Sequence, residues 1–537
     1  MTMKKLDFLA ILVVLVFLIS GVITLDNYGL SWDEGLGSLF FGERYFLFFT
    51  SFDEYLLDFK ANLPYHEITP LNLFESPFKN IPYEFPPLSD TLSAATMYIV
   101  SYWAGLMDPV DGWHLFTVLL SSTFLWIFYR FSSNEFGREA AFVGLIFLAT
   151  FPRFWTDMHF NPKDVPETIF ISFVILLYYS WHKKPNYFIA SCVGILAGCA
   201  LGIKLNAIFI PFILVFGVMS WKDGLESLKT NILHIKSYFS HYSLMLGSFI
   251  ITYFLIWPYL WDNPSRIKGY FIHMLSQGGR EAGGKPGAAL LQTITTMPEV
   301  MIIALFLALY FLVINRTWRT SPWLKLLIVW MLVPIIRSNL PGIRNFDGIR
   351  HFLEFVPPAA MLAGWGIHSL VNEFIPDGFI RKRMRYILVF CVIVINLIQI
   401  NLLFHPYQHL YYNQIVGGLS GAKRIFGPNE ATDYWAVSYR NGIQWINENG
   451  SEQAGIYTPV APWLVKIPAG IWFREDIKYI DDLDLEEFRK NDKDLYVMFI
   501  TRPAFYNEIA RYCVSNLEPI HAITIDDVNI LEIYIYN

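Results

Sequence analysis

The sequence predicts an α-helical polytopic membrane protein with about 11 transmembrane helices, followed by a small α/β domain at the C-terminus. The 537 residues are 54% hydrophobic and only 16% charged, whereas soluble proteins carry about 25% charged residues. The apolar residues cluster in runs close to the length that spans a bilayer as a helix. A soluble enzyme and a disordered chain are therefore excluded. The net charge of −6 and the lack of a long basic stripe argue against a nucleic-acid partner.

The first apolar run resembles a signal peptide, but it lacks a small-residue cleavage site and is long enough to span the membrane, so we expect a retained helix. Residues 187–220 are too long for one helix, and Gly202-Ile-Lys204-Leu-Asn206 divides them into two. The apolar runs lie near residues 7–25, 113–130, 139–152, 165–182, 187–203, 205–220, 242–260, 297–314, 323–336, 350–371 and 385–403.

The orientation follows from the positions of the basic residues. Lys4 and Lys5 favour a cytoplasmic N-terminus in the plasma (inner) membrane. The later basic clusters, such as Lys183/Lys184, stay on that side only if residues 88–106 do not cross the membrane. We therefore expect residues 88–106 to form a helix on the membrane surface, within a first outside loop of residues 26–112.

The predicted domains are residues 1–404 in the membrane and residues 405–537 as an extracytoplasmic α/β domain. Hydrophobic periodicity in the second domain predicts helices and strands. The predicted helices are Tyr439–Asn449 and Leu483–Lys490, and the predicted strands are Asp494–Ile500 and Ile530–Tyr536.

Polar residues gather at the predicted outer ends of the helices. A transporter more often places such residues at the membrane midplane, so this one-sided cluster predicts a site at the outer face. Its bases suit an anionic lipid head group, and its acids suit proton chemistry. The cluster comprises Asp33/Glu34, Glu84, Lys163/Asp164, Lys204, Arg266/Lys268, Arg337, Arg344 and Arg350/His351.

Several of these residues lie in motifs that resemble those of the GT-C glycosyltransferases. The resemblance covers most of residues 7–404 and is nearest to bacterial protein O-mannosyltransferases and aminoarabinose transferase-like proteins. The motifs are Trp32-Asp33-Glu34-Gly35, Glu84-Phe-Pro86-Pro87-Leu, Asn161-Pro-Lys163-Asp164, Gly202-Ile-Lys204 and Asp347-Gly-Ile-Arg350-His351. A further stretch, His405-Pro-Tyr407 to Asp433-Tyr434-Trp435, resembles one bacterial branch without an assigned role.

The resemblance implies a GT-C fold and a polyprenyl-phosphate-linked sugar as donor, with an extracytoplasmic protein, lipid or polysaccharide as acceptor. Asp33 is the candidate base for the attacking hydroxyl, and its neighbour Glu34 is an equal alternative. A departing phosphate needs only charge stabilisation, for which Lys204, Arg344, Arg350 and His351 are candidates. Glu84 and Asp164 are candidates for orienting the acceptor or binding a divalent metal. No tightly bound cofactor is expected.

Simpler roles fit several of these residues singly. Asp33 and Glu34 fit solvated loop acids, Glu84 a turn, Asp164 a helix N-cap and Lys204 a snorkelling side chain. Two other classes of protein also fit the topology. One is a transporter or lipid flippase, and the other is a non-catalytic membrane assembly protein.

Overall fold

The computed structural model describes residues 3–58, 85–218, 234–280, 287–315, 321–340, 343, 345–374, 378–491 and 493–536. Each of the predicted apolar runs contains a helix. Within the described residues, the α-helices before residue 404 are Met3–Ile23, Leu39–Ser51, Leu88–Met97, Pro109–Phe136, Arg138–Ala149, Pro152–Phe160, Asp164–Lys183, Tyr187–Leu201, Ile210–Val218, Phe239–Leu255, Arg266–Arg280, Ala288–Thr296, Glu299–Asn315, Pro322–Ser338, Val356–Phe374 and Phe379–Leu397.

Three helices in the described part of the chain are long and apolar enough to cross a membrane, namely Lys5–Ile23, Pro109–Phe136 and Phe379–Ile400. The helices Ala288–Thr296 and Glu299–Asn315 meet at 112° and add a fourth if they form one broken span. The helical character of a membrane protein is thus confirmed, while the figure of about 11 spans stays a prediction.

Two local predictions are confirmed. The long apolar stretch is broken as expected, because Tyr187–Leu201 ends before Lys204 and a short 3-10 helix, Leu205–Phe209, precedes the next α-helix. Residues 88–106, the predicted surface helix, are α-helical over Leu88–Met97 and continue as a π-helix to Trp103. Whether this segment lies on a membrane surface stays a prediction.

The helix Val356–Phe374 packs closely on Arg138–Ala149. A Cβ atom at Gly364 would lie 2.5 Å from the Ala140 carbonyl oxygen and 2.5 Å from the Gly144 backbone nitrogen. Small residues allow such close backbone approach between apolar helices. This contact fixes the helix that follows Arg350 and His351.

The C-terminal part contains a five-stranded sheet in the order β2-β1-β3-β5-β4. Strand β1 is parallel to β2 and β3, whereas β5 is antiparallel to β3 and β4. All six residues of β3 are buried, as a central strand requires. The strands are β1 Gly455–Tyr457, β2 Lys478–Tyr479, β3 Leu495–Ile500, β4 His521–Ile525 and β5 Val528–Ile535. The helices are Gly418–Phe426, Tyr439–Asn449, Trp463–Lys466, Ala469–Trp472, Leu485–Phe488 and Glu508–Asn516.

The C-terminal part is joined to the first loop by backbone and side-chain bonds. The Gly29 amide donates to the Val437 carbonyl at 3.0 Å, and the Trp32 amide donates to the Trp435 carbonyl at 2.9 Å. Arg440 Nη1 lies 2.5 Å from Asp111 Oδ1. These bonds bring residues 435–440 against the segment that carries Asp33 and Glu34.

Site-directed cysteine labelling in a cysteine-free background tests the predicted orientation. Leu483→Cys lies at a position that is 94% exposed in the C-terminal part, so an impermeant maleimide added from outside should label it. Lys184→Cys, also exposed, should be labelled only after the membrane is permeabilised. Outside labelling at Lys184 would overturn the proposed orientation.

Candidate active site

The adjacent acids after the first helix have different surroundings. Glu34 is 1% exposed and accepts hydrogen bonds from the Ser31 amide at 2.7 Å and Trp113 Nε1 at 3.0 Å. Its carboxylate also lies 3.1 Å from His114 Nε2. The Asp33 side chain is 38% exposed and accepts from Arg350 Nη1 at 2.9 Å. Asp33 is therefore the member of the pair that a substrate can reach.

Arg350 is the cation at the centre of the site. Its side chain is only 9% exposed, and its Nη2 atom lies 3.4 Å from Asp347 Oδ2. The guanidinium carbon lies 4.5 Å from the centre of the Trp435 ring, a cation–π contact. Burial raises the pKa of Asp347, while the charges of Arg350 and Arg502 oppose this change. The arrangement holds a guanidinium between two carboxylates and an aromatic face.

A second cation lies beside the first. Lys204 stands in the break between two helices and forms an ion pair with Asp164. Lys204 Nζ is also 3.5 Å from His351 Nδ1, next to Arg350 in the chain. The site thus brings together Asp33, Asp164, Lys204 and the adjacent pair Arg350 and His351, from four separate segments of the sequence.

Asp164 is the first residue of the helix Asp164–Lys183, and Lys163 occupies the N-cap position without a side-chain cap hydrogen bond. Asn161 Oδ1 accepts from the Asp164 amide at 2.9 Å, and Asn161 Nδ2 donates to Asp164 Oδ2 at 3.0 Å. The expected N-cap role of Asp164 is therefore wrong. Its carboxylate instead forms an ion pair with Lys204.

Two predicted site residues, Glu84 and Arg344, lie outside the described residues. Their proposed roles stay predictions. Among the residues that the structure describes, no group of three or more His, Cys, Asp or Glu side chains is arranged to hold a metal ion. The binding of a divalent metal by Glu84 and Asp164 stays a prediction.

The structure adds Asp90, which lies outside the motifs, to the site as the partner of Lys163. Lys163 Nζ lies 2.5 Å from Asp90 Oδ2 and donates to the Pro86 carbonyl at 3.2 Å. Burial raises the pKa of Asp90 to about 6, although the charge of Lys163 opposes the change. The Leu88 amide donates to the Gly202 carbonyl at 3.1 Å. These contacts attach the helix Leu88–Met97 to the loops that carry Asp164 and Lys204.

The stretch that had no assigned role also contributes. Arg153 is buried and its Nη1 atom donates to Tyr434 Oη at 2.6 Å. The same guanidinium lies 5.2 Å from the centre of the Tyr412 ring. With Trp435 on Arg350, these contacts place three aromatic residues of the C-terminal part against buried arginines. The sequence signal was the aromatic run Tyr434-Trp435 itself.

Gly348→Ala should destabilise the fold strongly. Gly348 has φ of +72°, and a Cβ atom there would lie 2.0 Å from Arg153 Nη1, which is held by Tyr434. Gly105→Ala is a matched control, because Gly105 has φ of +61° and open space around its Cβ position. We expect a loss of about 1 kcal/mol at Gly105 and about 3 kcal/mol at Gly348, measured by thermal or denaturant unfolding. Equal losses of unfolding free energy in the two variants would show that the Arg153 side chain moves away from the new Cβ atom.

Comparison with known proteins shows similarity in part of the sequence and in the fold. Residues 92–257 match the family model described as dolichyl-phosphate-mannose-protein mannosyltransferase. This region includes Asp164 and Lys204, but not Asp33 or Arg350. A sequence search found no match among curated proteins.

Solved structures match the chain over nearly its whole length. ArnT from Cupriavidus metallidurans bound to undecaprenyl phosphate matches with a TM-score of 0.51 and 14% identity, covering 97% of both chains. The apo form of ArnT from the same organism matches with a TM-score of 0.50 and 15% identity, covering 97% of both chains. The archaeal oligosaccharyltransferase AglB from Archaeoglobus fulgidus matches at 0.47 and 12% identity, covering 93% of this chain and 70% of AglB. The family-model and ArnT matches confirm the resemblance to GT-C proteins, and at this identity the structural likeness shows the fold.

Proposed function

We propose that this protein is an integral-membrane glycosyltransferase that moves a sugar from a polyprenyl-phosphate donor to an extracytoplasmic acceptor. The observation that carries the proposal is the partly exposed Asp33 carboxylate, 2.9 Å from the buried Arg350 guanidinium. An acid that can take a proton thus lies beside a cation that can hold a phosphate. The ArnT fold, seen with undecaprenyl phosphate in that protein, and the mannosyltransferase family match support the same class of substrate.

The donor phosphate is assigned to Arg350 and Lys204, with His351 beside them. Both cations have carboxylate partners in the structure, Asp33 for Arg350 and Asp164 for Lys204. A phosphate oxygen that enters between them gains charge-assisted hydrogen bonds, and its charge increases as the bond to the sugar breaks. Cations held in place before the reaction stabilise that charge without reorganisation. Arg344 is proposed for the same role on the basis of its motif.

Asp33 is assigned as the base that takes a proton from the acceptor hydroxyl as that oxygen attacks the anomeric carbon. A single displacement inverts the configuration at this carbon. A retaining reaction would need a second carboxylate about 5–5.5 Å away to act as nucleophile. Glu34 does not suit that role, because its carboxylate is buried and bonded to Ser31, Trp113 and His114.

The proposed location of this chemistry is the outer face of the plasma (inner) membrane. The N-terminus would lie in the cytoplasm, and residues 405–537 would lie outside, where their bonds to the first loop help to close the acceptor side. The partners are then the lipid-linked donor, membrane lipids and an extracytoplasmic acceptor. The donor panel in the assay below identifies which sugar is moved. Glu84 and Asp164 are proposed to orient the acceptor or to bind a divalent metal.

The test uses the purified full-length chain in lipid nanodiscs with a panel of undecaprenyl-phosphate-linked hexoses and aminopentoses. Mass spectrometry of glycans and lipids from cells with and without the gene identifies the acceptor to be added. We expect release of undecaprenyl phosphate that depends on acceptor, and a product of inverted anomeric configuration by NMR. In a parallel experiment with the protein reconstituted into sealed vesicles, movement of a labelled donor across the membrane without sugar transfer would favour the flippase alternative. No transfer and unchanged cell glycans would overturn the proposal.

A further inference from the structure

Arg502 follows strand β3 of the C-terminal sheet, yet it reaches the site through an acid that Arg350 also contacts. Arg502 Nη2 donates to Asp347 Oδ1 at 2.7 Å, while Arg350 Nη2 lies 3.4 Å from Asp347 Oδ2. The Arg502 side chain is 10% exposed and that of Asp347 is 5% exposed. One buried carboxylate is thus shared between an arginine of the C-terminal part and the cation of the site.

The position of Arg502 is fixed by further contacts. Its Nη1 atom donates to the Tyr434 carbonyl at 3.2 Å. Its guanidinium carbon lies 5.3 Å from the centre of the Trp32 ring and 5.0 Å from that of Phe505. Arg502 therefore contacts Trp32, which directly precedes Asp33, and Asp347, which also pairs with Arg350.

The turn that carries Asp347 is held in a strained conformation. Asp347 has φ of +58° and Gly348 has φ of +72°, and a residue other than glycine rarely adopts the left-handed region. Glu430 Oε2 accepts from the Asp347 amide at 2.8 Å, also from the C-terminal part. Such strain persists where the surrounding structure determines it, and it is concentrated at functional sites.

We propose that Arg502 is a positioning residue that sets the phosphate affinity of Arg350 through Asp347. With Arg502 present, the charge of Asp347 is divided between two guanidinium groups. Without Arg502, Arg350 is the remaining cation that balances the buried Asp347 carboxylate. The Arg350 guanidinium is then drawn towards Asp347 and away from the donor phosphate. The inference rests on the proposed function, because it assumes that Arg350 binds the donor phosphate. If Arg502 has this role, residues 405–537 contribute directly to donor binding.

The experiment measures binding of undecaprenyl phosphate and of uncharged undecaprenol to the full chain in nanodiscs, alongside the unfolding temperature. The variants are Arg502→Gln, Arg502→Lys and the double variant Arg502→Gln with Asp347→Asn. Arg474→Gln is the matched control, since Arg474 pairs with Asp476 at 2.6 Å elsewhere in the C-terminal part. We expect Arg502→Gln to weaken undecaprenyl phosphate binding about tenfold without changing undecaprenol binding.

Arg502→Lys should restore much of this loss. The double variant should bind undecaprenyl phosphate with an affinity within about threefold of the wild type. With Asp347 also neutral, Arg350 no longer has to balance an unpaired buried carboxylate. Wild-type phosphate affinity in Arg502→Gln, additive losses in the double variant, or an equal loss in Arg474→Gln would each overturn the inference. If the wild-type chain binds undecaprenyl phosphate no better than undecaprenol, the proposed function itself fails.

Discussion

Asp33→Asn is expected to lower the turnover of sugar transfer about 10²- to 10⁴-fold, the range that general-base catalysis usually supplies. Asparagine keeps the size of the side chain and an acceptor oxygen for Arg350, 2.9 Å away, but it cannot take the proton. Affinity for undecaprenyl phosphate should stay the same or increase, because Arg350 loses a competing carboxylate. Turnover and lipid binding are measured on the same preparation.

Glu34→Gln is the control for this experiment. Glu34 accepts from backbone and side-chain donors in a buried site, and one end of a glutamine amide cannot accept them. The expected result is a loss of stability of about 1–3 kcal/mol, with much less effect on turnover per folded molecule. Nearly normal turnover in Asp33→Asn with an inactive, folded Glu34→Gln would move the base to Glu34. Normal turnover in both would remove these acids from the mechanism.

Much of the fold could be predicted from the sequence because its signals are local. Apolar runs long enough for a helix formed helices, and the polar break around Lys204 separated two of them. In the C-terminal part, the helix predicted at Tyr439–Asn449 has those bounds in the structure. The strand predicted at Asp494–Ile500 is found at Leu495–Ile500. Such elements are predicted from the hydrophobic periodicity and the length of a run, and both are properties of consecutive residues.

The pairings within the site could not be predicted in the same way. Asp33 and Arg350 are 317 positions apart, so their contact depends on how the helices pack. The sequence also could not separate Asp33 from Glu34, since burial of Glu34 against Trp113 is a property of the folded chain. The contact of Trp435 with Arg350 required the C-terminal part to fold onto the first loop.

Arg350→Gln is expected to weaken binding of undecaprenyl phosphate by about 2–4 kcal/mol, or roughly 30- to 1,000-fold. A buried guanidinium that bonds a phosphate is strongly attractive, and glutamine offers only a neutral donor. Lys204→Met should act in the same direction with a smaller effect, because Lys204 is more exposed, at 19%, than Arg350, at 9%. Undecaprenol, which lacks the phosphate, should bind both variants like the wild type.

The loss of Arg350 also leaves Asp33 and Asp347 without a shared cation, so stability must be separated from binding. Arg440→Gln provides the comparison, because Arg440 likewise pairs with an acid, Asp111, and lies over a tryptophan, Trp472, at 4.7 Å. Both variants should lower the unfolding temperature, but only Arg350→Gln should lose the preference of the wild type for undecaprenyl phosphate over undecaprenol. A folded Arg350→Gln protein with wild-type phosphate affinity would show that Arg350 only orients Asp33, and the donor phosphate would then have to bind elsewhere.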